Sequence, residues 1–398
     1  MADPVPRLTG NRLTREEGVA RIRLIRSPNI GAVTFHHLLA RFGSARAALD
    51  ALPDLAARGQ GALRKAGKGP VPYAPVSAEA VEAEMLTVRG AGGRYVFHDS
   101  PDYPYLLGTL EAAPPILIVR GAMEMATRNP VAIVGARNAS AGALRIARDL
   151  ASALAGRGSV VVSGLARGVD GAAHEGALSV PDGAGTVAVI AGGIDVTYPP
   201  EHAGLQERIA ENALIISEMP PGTEPTNRHF PARNRIIAGI SMGTVVVEAA
   251  LQSGSLITAR LAGDYGREVM AVPGSPLDPR SHGCNQMIRE GAILVQGVDD
   301  ILELITSFQG LPRSHFREEA GGVSFAEEPL PEEIISQETP QSVSDRIGVL
   351  LGVAPVGVGE LIRQSGASTA DVQAALIDME LAGMILRHAG GRVSRAVD

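Results

Sequence analysis

Between residues 130 and 306, short apolar runs alternate with longer stretches whose apolar residues recur every three or four positions. The runs Val131–Gly135, Val160–Gly164, Val187–Gly192, Leu214–Glu218, Val245–Glu248, Val269–Val272 and Ile293–Val295 are predominantly apolar. Helical periodicity fills the gaps, over Ala141–Ala155, Gly168–Leu178, His202–Asn212, Leu256–Tyr265, Cys284–Glu290 and Val298–Ile305. Strands without a polar face, separated by helices, imply a parallel sheet covered on both sides. The fold class expected is α/β, a doubly wound parallel sheet.

The pattern differs on either side. Residues 12–70 carry Leu24, Ile25, Leu38, Leu39, Phe42 and Leu49 near helical spacing, broken by Ser27-Pro-Asn-Ile-Gly31 and by Arg41-Phe-Gly-Ser44. This predicts a small all-α domain. It is either a packing module or one whose turn presents backbone N–H groups to a DNA phosphate. Residues 90–125 read as Pro-rich lead-in or edge strands. The 307–341 segment mixes Glu318, Glu319, Glu327, Glu328, Glu332 and Glu333 with Gly and Pro, which predicts a solvated acidic linker. Residues 342–398 predict three helices and a two-stranded wing, a winged-helix domain. Its third helix starts at the cap Ser368-Thr-Ala-Asp371 and carries Asp371, Asp378 and Glu380. That acidity favours a protein contact over the major groove. The domain bounds expected are 1–75, 76–306, 307–341 and 342–398.

With 398 residues the chain can bury a full core. No apolar run is long enough to span a membrane, and the N-terminus has no apolar signal core, so a cytoplasmic protein is expected. Cys284 is the only cysteine and no HExxH pair occurs, so neither a disulfide nor a metal site is expected. The net charge of −7 argues against a general nucleic-acid footprint. Screening acts over about 8 Å, however, so a local basic cluster can still hold phosphate. Lys65 and Lys68 are the only lysines; every other basic side chain is the planar fork of arginine, which suits phosphate.

In a doubly wound sheet, ligands bind beyond the carboxyl ends of the strands. Residues just past each strand therefore form the candidate site: Gly135, Arg137 and Ser140; Ser163, Gly164, Arg167 and Gly168; and Ser253, Gly254 and Ser255. The run Arg228–Arg235, holding Phe230, Arg233, Asn234 and Arg235, lies beside them. A dinucleotide site is disfavoured: Gly135-Ala-Arg-Asn-Ala-Ser140 is not G-x-G-x-x-G, and the second strand ends in Ser163 where a ribose-binding carboxylate would stand. Asp170 and His174 read as a cap and a hydrogen-bonded helix residue, or as chemistry. Glu248 reads as a catalytic carboxylate or, preferably, as a partner that orders a neighbouring arginine. Phe230 is either core or a stacking platform.

The motifs Val131-Ala-Ile-Val-Gly-Ala-Arg137, Ser163-Gly-Leu-Ala-Arg-Gly-Val-Asp170, Phe230-Pro-Ala-Arg-Asn-Arg-Ile-Ile-Ala-Gly239 and Ser253-Gly-Ser-Leu-Ile-Thr-Ala259, in this order, resemble the DNA processing protein A (DprA/Smf) family. The resemblance spans roughly residues 130–300. It implies an extended Rossmann-like domain, with a sterile-alpha-motif-like domain before it and a winged helix after it. It also implies sequence-independent binding of single-stranded DNA, loading of the RecA recombinase in natural transformation, a homodimer through the Rossmann domain, no catalysis and no cofactor. Arg137, Arg167, Arg233, Asn234 and Arg235 would line the strand pocket, with Phe230 against a base. The alternative is a nucleotide- or phosphosugar-processing enzyme using Glu248 or Asp170.

Overall fold

A computed structural model describes residues 13–59, 73–306, 308, 342–351, 355–388 and 390–396. These fall into two units, residues 83–306 and residues 13–82 with 342–396. The expected acidic linker lies almost wholly outside the described residues. No helix among them is long and apolar enough to cross a membrane.

The larger unit is built on one nine-stranded sheet of order β1-β2-β6-β5-β4-β3-β7-β8-β9. Its strands are β1 (Arg94–Phe97), β2 (Ile116–Gly121), β3 (Val131–Val134), β4 (Val161–Ser163), β5 (Thr186–Val189), β6 (Leu214–Ser217), β7 (Gly243–Val246), β8 (Glu268–Ala271) and β9 (Ile293–Leu294). β3 to β9 pair in parallel. β1 pairs with β2, and β2 with β6, in antiparallel fashion at one edge, so the prolines around them sit where a missing donor costs least. β3 to β8 are buried along their whole length, as strands sandwiched between two helical layers must be. One layer packs Ala147, Leu150, Ala151 and Leu154 of the helix Ala141–Gly156 over Val131, Ile133 and Val161. The other places Ile236, Ile237 and Ile240 over Val134, Val162 and Val189.

Those isoleucines belong to a helix that the sequence pattern did not predict. His229–Ile240 is helical, so the arginine-rich run is the start of a helix, with Arg233 buried in it, and not a surface segment feeding a strand. Likewise Ser253-Gly-Ser255 is no free turn: Ser253 caps the helix Gly254–Asp264.

The second unit holds helices Arg15–Arg26, Ala32–Phe42 and Ala45–Gly59, and a winged helix. The latter consists of helices Val343–Leu350, Val358–Ser365 and Thr369–Leu381 and a three-stranded sheet in the order β10 (Val356–Gly357), β12 (Arg392–Arg395), β11 (Ile385–His388). The winged helix has its own core of Ile347, Leu361, Val372, Leu376, Met379, Ile385 and Val393. The two parts also share one: Ile377 and Leu381 are buried among Leu24, Ile30, Phe35 and Leu38.

Candidate nucleic-acid interface

The strand order reverses at β3, whose neighbours are β4 and β7. A ligand crevice opens at the carboxyl ends beside such a switch point. Here the loops after β3 and β7 are tied together at its floor. Glu248 Oε1 accepts from the Ser140 N–H at 2.9 Å and Oε2 from its hydroxyl at 2.7 Å, while Ser140 Oγ caps the helix by accepting from the Ala143 N–H. A carboxylate thus already occupies the helix N-terminus, where a dinucleotide enzyme would bind pyrophosphate. The expected pairing of Glu248 with an arginine is not what forms. The loop donors reach its buried carboxylate, and Glu248 orders the loop through Ser140 instead.

Above that floor lies an open cleft of about 730 Å³. Gly135, Arg137, Asn138, Asp170, Phe230, Arg233, Asn234, Ser253, Gly254, Ser255 and Arg280 line it. Arg137 is exposed, with its Cζ 4.5 Å from the centroid of the Phe230 ring. The Tyr198 ring stands 5.7 Å from Phe230 on a tilted plane. A cation over one ring with a second ring adjoining it presents both a phosphate partner and a base-stacking surface.

The remaining arginines divide. Arg233 is buried, and its Nη1 donates to the Val189 carbonyl at 2.9 Å while Nε has no partner. Burial pulls its guanidinium down to about 10 despite the charge of Asp170. Asp170 is itself buried and raised by desolvation; its Oδ2 accepts from the Gly164 and Ala166 N–H groups. It therefore holds the β4 loop and does not cap its own helix, Val169–Leu178. Ser163, expected at the interface, is buried and donates to the Ile133 carbonyl at 2.6 Å, so it is structural; Gly164 is buried as well. Gly168, at φ +78°, lets the β4 loop pass the β3 loop: a Cβ there would stand 2.2 Å from the Ala136 oxygen. Arg235, also expected at the interface, donates from Nη1 to the Ala112 carbonyl at 2.8 Å and from Nη2 to Glu218 at 2.5 Å, which fastens the segment before β2. Arg167 is exposed and paired with Glu201, which a phosphate can displace. Asn234 donates weakly to the Gly254 carbonyl at 3.4 Å.

The family model for DNA recombination-mediator protein A matches residues 94–306. The chain belongs to this family. The models for a DprA-like N-terminal HHH domain and a DprA winged helix domain match residues 15–86 and 332–391. DNA processing protein DprA of Streptococcus pneumoniae is 44% identical over 200 residues, 50% of this chain and 70% of that protein. Protein Smf of Escherichia coli is 36% identical over 321 residues, 79% of this chain and 81% of that protein. The X-ray structure of DNA processing protein A from Streptococcus pneumoniae has a TM-score of 0.54 at 39% identity, over 57% of this chain and 78% of that one.

Within this recombination-mediator chain, reading by strand tips missed two side chains of the cleft region. Tyr198 follows β5 in Thr197-Tyr-Pro-Pro200; with six Tyr and no Trp in the chain, an aromatic there was a usable signal. Arg280 precedes a helix far from any strand end, and nothing in the pattern marks it.

His174 plays no surface part. Its Nδ1 faces the Thr186 hydroxyl at 2.7 Å, and Nε2 accepts from the Leu165 N–H at 3.3 Å. The Thr186 hydroxyl donates to the Val161 carbonyl, which leaves it to accept from Nδ1–H of a neutral ring. Leu165 sits at φ +55°, so this ring pins a left-handed turn at the rim of the site. Burial depresses its pKa from 6.5 to about 3. Above pH 6.5 the stability it confers is fully present. Below that the unfolded chain takes a proton the fold refuses, and stability falls by about 1.4 kcal/mol per pH unit until the folded pKa is reached. We expect urea midpoints to drop between pH 7 and 4.5, and the drop to be shallower in His174→Gln.

Proposed function

We propose that this protein binds single-stranded DNA without reading its sequence, and presents it to the RecA recombinase without chemistry of its own. The observation that carries this is Arg137 stacked on Phe230 beside Tyr198 at the mouth of the cleft. Charge meets a backbone phosphate and ring faces meet unstacked bases; neither distinguishes one base from another. A duplex keeps its base faces hidden and gains only the charge term. The family of DNA recombination mediators supports the same reading.

The enzyme alternative loses its carboxylates. Both oxygens of Glu248 are held by Ser140, and Asp170 is buried under the β4 loop. We further propose a cytoplasmic location, domain bounds near residues 75, 306 and 342, and a homodimer through the Rossmann-like unit. Exposed Leu277 and Leu294, the latter on the edge strand β9, favour that face for the dimer.

Fluorescence anisotropy with a mixed-sequence oligonucleotide, single- and double-stranded, tests the reading. The single strand should bind more tightly. Phe230→Ala should weaken it by about 1–3 kcal/mol, roughly 5- to 150-fold, and leave duplex binding almost unchanged. Equal losses on both forms would remove the stacking role.

A further inference from the structure

The third helix of a winged helix is the element such domains lay in the major groove. In this chain only its first turn, Thr369 to Asp371, is exposed. From Val372 to Leu381 no residue of the helix is fully exposed. Val372, Ala375, Leu376 and Met379 fill the winged-helix core. Ile377 and Leu381 fill the core of the N-terminal helices instead. The apolar residues of this helix are thus divided between two cores.

Polar contacts complete the junction. Asn29 Nδ2 donates to the Leu381 carbonyl at 3.1 Å, capping an end of the helix. The buried Thr34 hydroxyl donates to Glu380, whose carboxylate also takes Arg387 Nε of β11 at 2.8 Å. Asn29 and Ile30 belong to the Ser27–Gly31 turn between the first two N-terminal helices. Around that turn the Ser27 hydroxyl accepts from the Val76 N–H, the Pro28 carbonyl accepts from Tyr73, and Ile30 is buried.

We propose that the N-terminal hairpin and the third winged helix are each other's binding partners, an intramolecular clasp that covers the helix from Val372 to Leu381 with protein. The terminal domains then act as one body that presents a protein surface. Glu380 faces this junction, tied to Thr34 and Arg387.

Hydrogen exchange on the full chain tests the clasp from both sides. Ile377→Asp places a charge in the shared core without touching the winged helix's own core, and Thr34→Asp sets a carboxylate against Glu380 from the N-terminal side. Each variant should raise exchange at least tenfold in the helix across the junction, residues 32–42 for the first and residues 369–381 for the second, with residues 131–271 unchanged. Exchange raised only in the domain that carries the substitution would overturn the proposal. In the unmodified chain, protection of both helices should survive tenfold dilution; loss on dilution would mean docking between copies and would overturn the closure within one chain.

Discussion

Replacing Gly164 with alanine is expected to destabilise the central unit by about 3–5 kcal/mol, the cost of breaking a buried charge arrangement. A Cβ at that position would stand 1.6 Å from Arg233 Nη1, 2.5 Å from its Cζ and 2.6 Å from Asp170 Oδ2. The guanidinium cannot swing away cheaply, because it is buried and bonded to the Val189 carbonyl. Displacing it leaves Asp170 charged and enclosed with only backbone donors. Arg233→Met should therefore cost a similar amount, and Asp170→Asn in that background should restore part of it. That coupling makes the two changes non-additive in a double-mutant cycle read by urea unfolding. Gly254→Ala is the control: its Cβ meets nothing within 4 Å, and the change should stay within about 0.5 kcal/mol. Arg233 is thus anchored at the end of β5 on the Val189 carbonyl, where it also lines the cleft.

Replacing Arg137 with alanine should weaken single-strand binding by about 1.5–3 kcal/mol, roughly 10- to 150-fold, the range of a hydrogen bond to a charged group. The fold should be untouched, since Arg137 is exposed and stacks on the Phe230 face. Arg167→Ala should cost less. Its partner Glu201 must be displaced before a phosphate can bind, and an exposed pair of this kind is worth little either way. Arg235→Ala should behave differently again. It removes the ties to Glu218 and the Ala112 carbonyl, so its unfolding midpoint should fall more than its affinity.

This division among arginines is where the sequence ceased to be legible. The strands were readable because a parallel sheet covered on both faces leaves no polar position inside it. The helix His229–Ile240 was not, because His229, Pro231, Arg233, Asn234 and Arg235 crowd its first turns and hide the apolar period carried by Ile236, Ile237 and Ile240. Once that helix is missed, Arg233 and Arg235 look like neighbours on one surface. In the helix they point apart, one to Val189 and one to Glu218. Burial of Arg233 depends on the space that Gly164 leaves, a contact between residues far apart in the chain that no local pattern carries. Glu248 follows the same logic. A carboxylate at a strand end announces a partner, but the identity of Ser140 as that partner is fixed by the adjacency of β3 and β7.

Single-strand affinity measured across a salt titration tests the central claim most directly. For the unmodified chain, log affinity should fall linearly with log salt. Arg137→Ala should make that slope shallower by about 0.7, the share of one phosphate on a single strand. Phe230→Ala should lower affinity at every salt concentration with the slope preserved. An affinity and slope unchanged by Arg137→Ala would contradict the assignment of this cleft as the single-strand interface.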